Sequence, residues 1–395
     1  MENLNVPPAS SNLLKTVCNL LEDGTLSHSS LDDILNKQLS AEGVKRADSF
    51  VFELLFKRRL KALEKDTTDL VISFNWIVGF DNKDTPCYWF KLQDDDADWN
   101  CADEMLVKHL LNTANHTNKV HKAKYCHPSN IFLISELTLN GWTNWQSAQN
   151  CLSMLPNKKA KTTIRNTNKT NSQTDKNHYN IAVDWLTKKT KQENYFKEEI
   201  IKISLQRRFI NCLLSPILGG DPADLDAITL SNNTNIKYLE IKRKYPAYKF
   251  KHFGIDETPH IKIMNYLAKH QVGMSHIILV PPCWEKESSP IRTLNNGLFK
   301  KHWTWLGANL DNNAITNLKM HTYGSNSGQR DMDRDQYAID WKVIFNLNNG
   351  LPLDKQAEQR IACFLKGALP IPYAQANFSE LKSRYILSYK HEFSY

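Results

Sequence analysis

Between Gln192 and Pro282 the apolar residues switch from helical spacing to strict alternation, back to helical spacing, and to a short apolar run. Gln192 to Leu214 repeats every three to four residues, as one side of a helix does. Asp224 to Leu230 and Ile236 to Arg243 alternate about Asn232-Asn233-Thr234-Asn235, a turn sequence, and read as a hairpin. Glu257 to Gln271 reads as a second helix stopped before Gly273. His276 to Val280 reads as a buried strand ended by Pro281-Pro282. Helix, strand, strand, helix, strand predicts an α/β core, a sheet with flanking helices.

The residues before this region make a second pattern. Residues 1–66 read as helical, with Val51, Leu54, Leu55, Leu60 and Leu63 at helical spacing. Asp69 to Phe80 is β-rich, and Tyr88-Trp89-Phe90 is its candidate partner. A helix over Ala102–Thr113 and a strand over Asn130–Leu139 complete a mixed α/β domain over 1–155. It holds Trp76, Trp89, Trp99, Trp142 and Trp145, aromatic bulk enough for its own core. Asn157 to Asn180 is Lys, Asn, Thr and Ser with almost nothing apolar, so 156–180 reads as a basic linker or loop. The second domain is then 181–395. It continues with a strand near Tyr337–Phe345 and a helix over Asp354–Lys366 stopped by Gly367.

Charge is uneven. Lys and Arg number 50 against 42 Asp and Glu, a formal charge of +8. From Pro156 to Arg208 thirteen basic residues face five acidic ones, which accounts for the whole excess. A basic block of this kind suits a polyanion, because each phosphate neutralised releases counterions. Lys158, Lys159 and Lys161, with Arg243 and Lys244 beyond the hairpin, are the candidate nucleic-acid contacts. The eight cysteines show no CxxC and no framework spacing, and read as thiols. No apolar run is long enough to cross a bilayer. The first residues lack a basic start followed by an apolar core. The expectation is a cytoplasmic protein with no membrane partner.

The chemistry concentrates at the hairpin. Residues two apart on a strand share a face, so Glu240 and Lys242 point together, as do Asp224 and Asp226. Pairing through the Asn232–Asn235 turn can bring Asp226 beside Glu240. Two carboxylates with a lysine close by suit Mg²⁺, which takes carboxylate and phosphate oxygens and keeps several waters. On the preceding helix Phe196, Ile200, Ile203, Ile210, Leu213 and Leu214 gather on one side. Glu199 falls near the middle of that side and Glu198 toward its edge. A carboxylate facing a core needs a partner.

Asp226 followed after a turn by Glu240-Ile241-Lys242 resembles the PD-(D/E)xK nuclease superfamily. Lys244-Tyr245-Pro246 and Phe253-Gly254-Ile255-Asp256 resemble the lead into its next helix. The resemblance covers about a quarter of the chain, residues 192–282. The literal Pro-Asp pair is absent: Pro222 precedes Ala223-Asp224, leaving Asp224 as a rival to Asp226. The resemblance implies a restriction-endonuclease-like core, a mixed central sheet flanked by helices, joined here to the N-terminal α/β domain. It implies Asp226, Glu240 and Lys242 as catalytic residues and Mg²⁺ (with Mn²⁺ as a substitute) as cofactor. Asp226, Glu240 and the Ile241 carbonyl would be ligands, and Glu199 a third acid with Glu198 as its rival.

The function expected is a Mg²⁺-dependent DNA endonuclease in restriction or anti-phage defence. Its partner is DNA, beside a second copy of the chain or a defence-system protein. The alternatives are a non-catalytic or partner-dependent nucleic-acid-binding protein of transposition or repair, and an RNA-directed nuclease. The N-terminal tryptophans could stack on flipped or single-stranded bases. Cys101, His109, His116, His121, Cys126 and His127 match no ordinary zinc spacing. No GxxxxGK[ST] sequence exists, which argues against ATP-driven chemistry.

Overall fold

The computed structural model describes residues 43–94, 99–112, 117–127, 129–155, 173–218, 222–247, 249–282, 303–322, 334–350, 353–367 and 376–384. Helix α1 (Gly43–Asp66) leads into β1 (Leu70–Ser73), β2 (Trp76–Phe80) and β3 (Pro86–Leu92). Then come α2 (Cys101–Leu111), β4 (Lys119–Cys126), β5 (Ile131–Thr138), β6 (Gly141–Trp142), β7 (Gln146–Ser147) and α3 (Ala148–Ser153). Helices α4 (Gln173–Gln192) and α5 (Asn194–Arg208) precede β8 (Ala223–Leu225), β9 (Ala227–Ser231), β10 (Asn235–Arg243) and β11 (Gly254–Asp256). The rest is α6 (Lys262–Lys269), β12 (Gly273–Val280), β13 (Thr304–Leu310), β14 (Ile315–Thr322), β15 (Arg334–Ile339), β16 (Ile344–Asn349), α7 (Lys355–Lys366) and α8 (Phe378–Arg384). The protein is mixed α/β. Among the described residues no helix is long and apolar enough to cross a membrane.

Two compact units divide the chain, each assembled from separated segments. The first takes residues up to Leu54, Asn75–Asp98 and Thr117–Asp224. The second takes Leu55–Phe74, Trp99–His116 and Leu225–Tyr395. In the first, the strands run in the order β6-β5-β4-β3-β2-β8, with β7 also on β5. Strands β3 and β4 pair parallel. Helix α5 ends in a π-turn over Phe209–Leu214. That turn sets the Phe209 ring 5.7 Å from Phe90 and 5.2 Å from Phe132, the aromatic centre of this unit. Helix α4 begins at Gln173, inside the stretch read as linker. Its apolar half, with Leu186 fully buried, extends a polar turn backward. Residues 156–172, with Lys158, Lys159 and Lys161, lie outside the described residues.

The second unit carries the sheet β1-β9-β10-β12-β13-β16 and a smaller one, β11-β15-β14. Asn232 and Asn233 have φ of 50° and 58°, and Thr234 N donates to Ser231 O at 3.2 Å. This is the tight hairpin turn that asparagine tolerates and that matches strand twist. It sets the register of β9 on β10 from Asn235↔Ser231 to Leu239↔Ala227. Strand β12 then pairs parallel to β10, with Glu240 opposite His276 and Ile241 opposite Ile277. Gly307 of β13 lies opposite Ile277. A Cβ there would stand 2.9 Å from both Leu347 and Phe364, so α7 approaches this face closely. The other face of β10 meets His260, in the turn before α6.

Two expected elements differ. Tyr337 to Phe345 is not one strand: β15 and β16 belong to different sheets. The chain breaks at Asp340, whose Oδ1 accepts from Lys342 N at 3.0 Å and caps a short 3-10 turn. The helix read from Glu257 is interrupted at Thr258 (φ −122°, ψ 126°), because a residue before proline is pushed to extended backbone. Cys87, Cys101, Cys126, Cys151 and Cys363 are free thiols, but Cys212 is disulfide-bonded, against the expectation of thiols throughout.

Candidate active site

Alternation along β10 puts Tyr238, Glu240 and Lys242 on one face, followed beyond the strand by Lys244. Asp226 occupies a bend between β8 and β9, one residue before the last registered pair, Ala227↔Leu239. From this bend Asp226 Oδ2 accepts from Ile241 N at 2.6 Å. The amide it captures lies between Glu240 and Lys242. Asp224, on β8, is exposed.

Glu240 is 1% exposed. Its Oε2 accepts the Tyr238 hydroxyl. Its Oε1 lies 2.5 Å from Lys242 Nζ and 3.4 Å from His260 Nε2. Oε1 thus forms an ion pair with Lys242. Burial by itself would raise this carboxyl. The charges of His260 and Lys242 and the Tyr238 hydroxyl outweigh it and hold Glu240 down at about 2. Burial also lowers His260, toward its neutral form. Lys242 is 43% exposed and presents its ammonium to solvent as well as to Glu240.

The neighbouring groups are mostly buried. His260 Nδ1 lies 3.4 Å from the Tyr238 hydroxyl. His276 Nδ1 lies 3.0 Å from the Glu240 carbonyl and so carries the proton. Its Nε2 is a buried lone pair with no partner among the described residues. Burial, then the charge of Lys244, pushes His276 well below its ordinary value. Lys244 Nζ donates to Gly254 O at 2.5 Å, and burial pulls it down to about 8. Its amine thus turns toward β11. Arg243 is half-buried, on the Ile241 side of the strand.

The first unit holds the remaining carboxylate. Glu199 is buried on α5 while Glu198 is exposed, the rotation that the apolar spacing implies. Glu199 Oε1 lies 3.7 Å from Lys202, which pairs with Asp94 at 2.7 Å. Gln206 is buried on the same helix, its Oε1 without a partner among the described residues. Among the described residues no three His, Cys, Asp or Glu side chains converge as a metal set. His109 and His121 have other roles: His109 Nδ1 meets His270 O at 2.8 Å, and His121 stacks on Phe90.

Sequence reasoning missed Tyr238, His260 and His276 as neighbours of Glu240. Tyr238 was within reach, since it sits two residues before Glu240. No local signal marks the histidines; register and the turn before α6 bring them in. Comparison of the chain with known protein families, curated proteins and solved structures finds no match.

Proposed function

We propose that the protein is a Mg²⁺-dependent DNA endonuclease with a restriction-endonuclease-like core in its second unit. One observation carries this reading: the Asp226 carboxylate is tied to the amide between Glu240 and Lys242, which brings it to the stretch of β10 that carries the Glu240–Lys242 pair. The hairpin, helix and parallel strand of the second unit support it. So does the exposure of Lys242, which leaves the arrangement open to a large substrate.

The donors fit a hard cation. Carboxylate and carbonyl oxygens are what Mg²⁺ takes. Glu240 offers a buried carboxylate, the donor type such an ion takes, with Lys242 beside it. Asp226, Glu240 and the Ile241 carbonyl would hold the ion, and Mn²⁺ takes the same donors. When bound, Mg²⁺ supplies Lewis-acid polarisation of a phosphate oxygen and a bound water of lowered pKa. The chain's own contribution is orientation and charge. Asp226 is fixed by the Ile241 amide and Glu240 by the Tyr238 hydroxyl. Lys242 can donate to the attacking water or offset charge developing on the phosphate. The basic block at Lys158, Lys159 and Lys161, with Arg243, suits the DNA backbone, and restriction or anti-phage defence is the setting.

Plasmid nicking tests this. Supercoiled plasmid should be cut with Mg²⁺ or Mn²⁺ and left intact with EDTA, and Glu240→Gln should abolish cutting. A folded wild-type protein that cuts neither plasmid nor duplex fragments with either ion overturns the reading. Cutting of structured RNA alone would replace DNA as the substrate.

A further inference from the structure

On the first unit's sheet, β4 and β5 pair Lys122 with Ser135 and Lys124 with Leu133, and β5 and β6 pair Leu137 with Trp142. Directly opposed residues share a face. Lys122, Lys124, Leu133, Leu137 and Trp142 therefore lie together, joined by Trp145 next to β7. Lys122 Nζ sits 4.6 Å from the Trp142 ring centroid, and Lys124 Nζ sits 4.2 Å from that of Trp145. All four side chains are half-buried and reach solvent. The carboxylate of this region, Glu136, pairs with Lys119 on the opposite face. The β4–β7 residues of this face thus offer two ammoniums and two indoles and no acid.

We propose that this face binds single-stranded nucleic acid. The repeat has the chemistry of a strand of unpaired nucleotides. Each ammonium meets a phosphate, and each indole, steadied by its lysine, offers ring surface to a base. A duplex keeps its bases stacked inside and gives the indoles nothing to bind, so unpaired nucleotides are the occupant. The β4–β7 residues of this face carry no acid to repel a polyanion. The inference concerns a different unit from the candidate active site and does not depend on cleavage.

Fluorescence anisotropy in EDTA tests it on the full chain, with labelled oligothymidylate, an abasic strand of equal length and the matching duplex. Wild type should prefer oligothymidylate over both. Trp142→Ala with Trp145→Ala should weaken that binding by about tenfold or more while leaving the duplex unaffected. Trp142→Phe with Trp145→Phe keeps two rings and should recover most of it, a comparison that stands even where the alanine pair folds poorly. Lys122→Gln with Lys124→Gln should shallow the log–log salt slope by about 1.4. Unchanged affinity in a folded alanine pair, or equal binding of the abasic strand, overturns the proposal. Flat anisotropy with every nucleic acid also overturns it and leaves the face to a protein. Failed plasmid nicking alongside intact oligothymidylate binding would remove the nuclease reading and keep this one.

Discussion

Asp226 accepts a hydrogen bond from the Ile241 amide at 2.6 Å, joining residues fifteen apart in the chain. The contact lies one step past the last backbone pair of the hairpin, Ala227↔Leu239. A side chain thus continues the pairing where the backbone bends away. A charged acceptor makes this a stronger bond than a neutral ladder bond.

Asp226→Ala should cost about 1–2 kcal/mol, because the Ile241 amide loses its acceptor. Asp226→Asn retains an acceptor oxygen and should cost less. Both should lose plasmid nicking, since the charge is gone in each. Urea unfolding beside a nicking assay separates the two effects; an active Asp226→Asn would show that the carboxylate acts only through the hydrogen bond.

Glu240→Gln and Lys242→Gln should each lower cleavage by about 100-fold or more. Their combination should be little worse than either, because groups that act as one unit are not additive. Single-turnover cleavage rates measure this. Multiplicative losses would mean the two side chains work independently.

His121 gives a pH dependence away from that cluster. Burial holds its imidazole at about 4, with Glu136 opposing the shift. The unfolded chain, titrating near 6.5, binds more protons between those values. Stability therefore rises with pH across that window and falls as pH drops below about 6.5, by up to about 1.4 kcal/mol per pH unit. His121→Phe keeps the ring against Phe90 and should flatten the curve by that difference. Thermal melts of both proteins from neutral pH down to about 4 read it.

Gly307→Ala should destabilise by about 1–3 kcal/mol, because its new Cβ would press on two buried side chains, Leu347 and Phe364. A denaturant midpoint equal to wild type would mean α7 can move outward at no cost.

Lys158, Lys159 and Lys161 are expected to contact phosphate. Neutralising all three should shallow the log–log salt slope of duplex binding by about 2.7. An unchanged slope would make the block a passive linker.

Some of this was determined by sequence alone. Strand alternation is local, so Glu240 and Lys242 had to share a face once β10 formed. The asparagine turn pinned the register of β9 on β10. Apolar spacing on α5 turned Glu199 inward and Glu198 outward. Other features belong to the tertiary structure. Whether Asp224 or Asp226 reaches β10 depends on a bend between β8 and β9 that alternation cannot express. β1 and β2 are close in sequence yet join different sheets, because β1 finds its partner in β9, far along the chain. Tyr238, His260 and His276 gather around Glu240 only when β12 settles into register and the chain turns before α6. Local periodicity sets which way a side chain points from its own element; which groups it then meets is set by packing between segments distant in sequence.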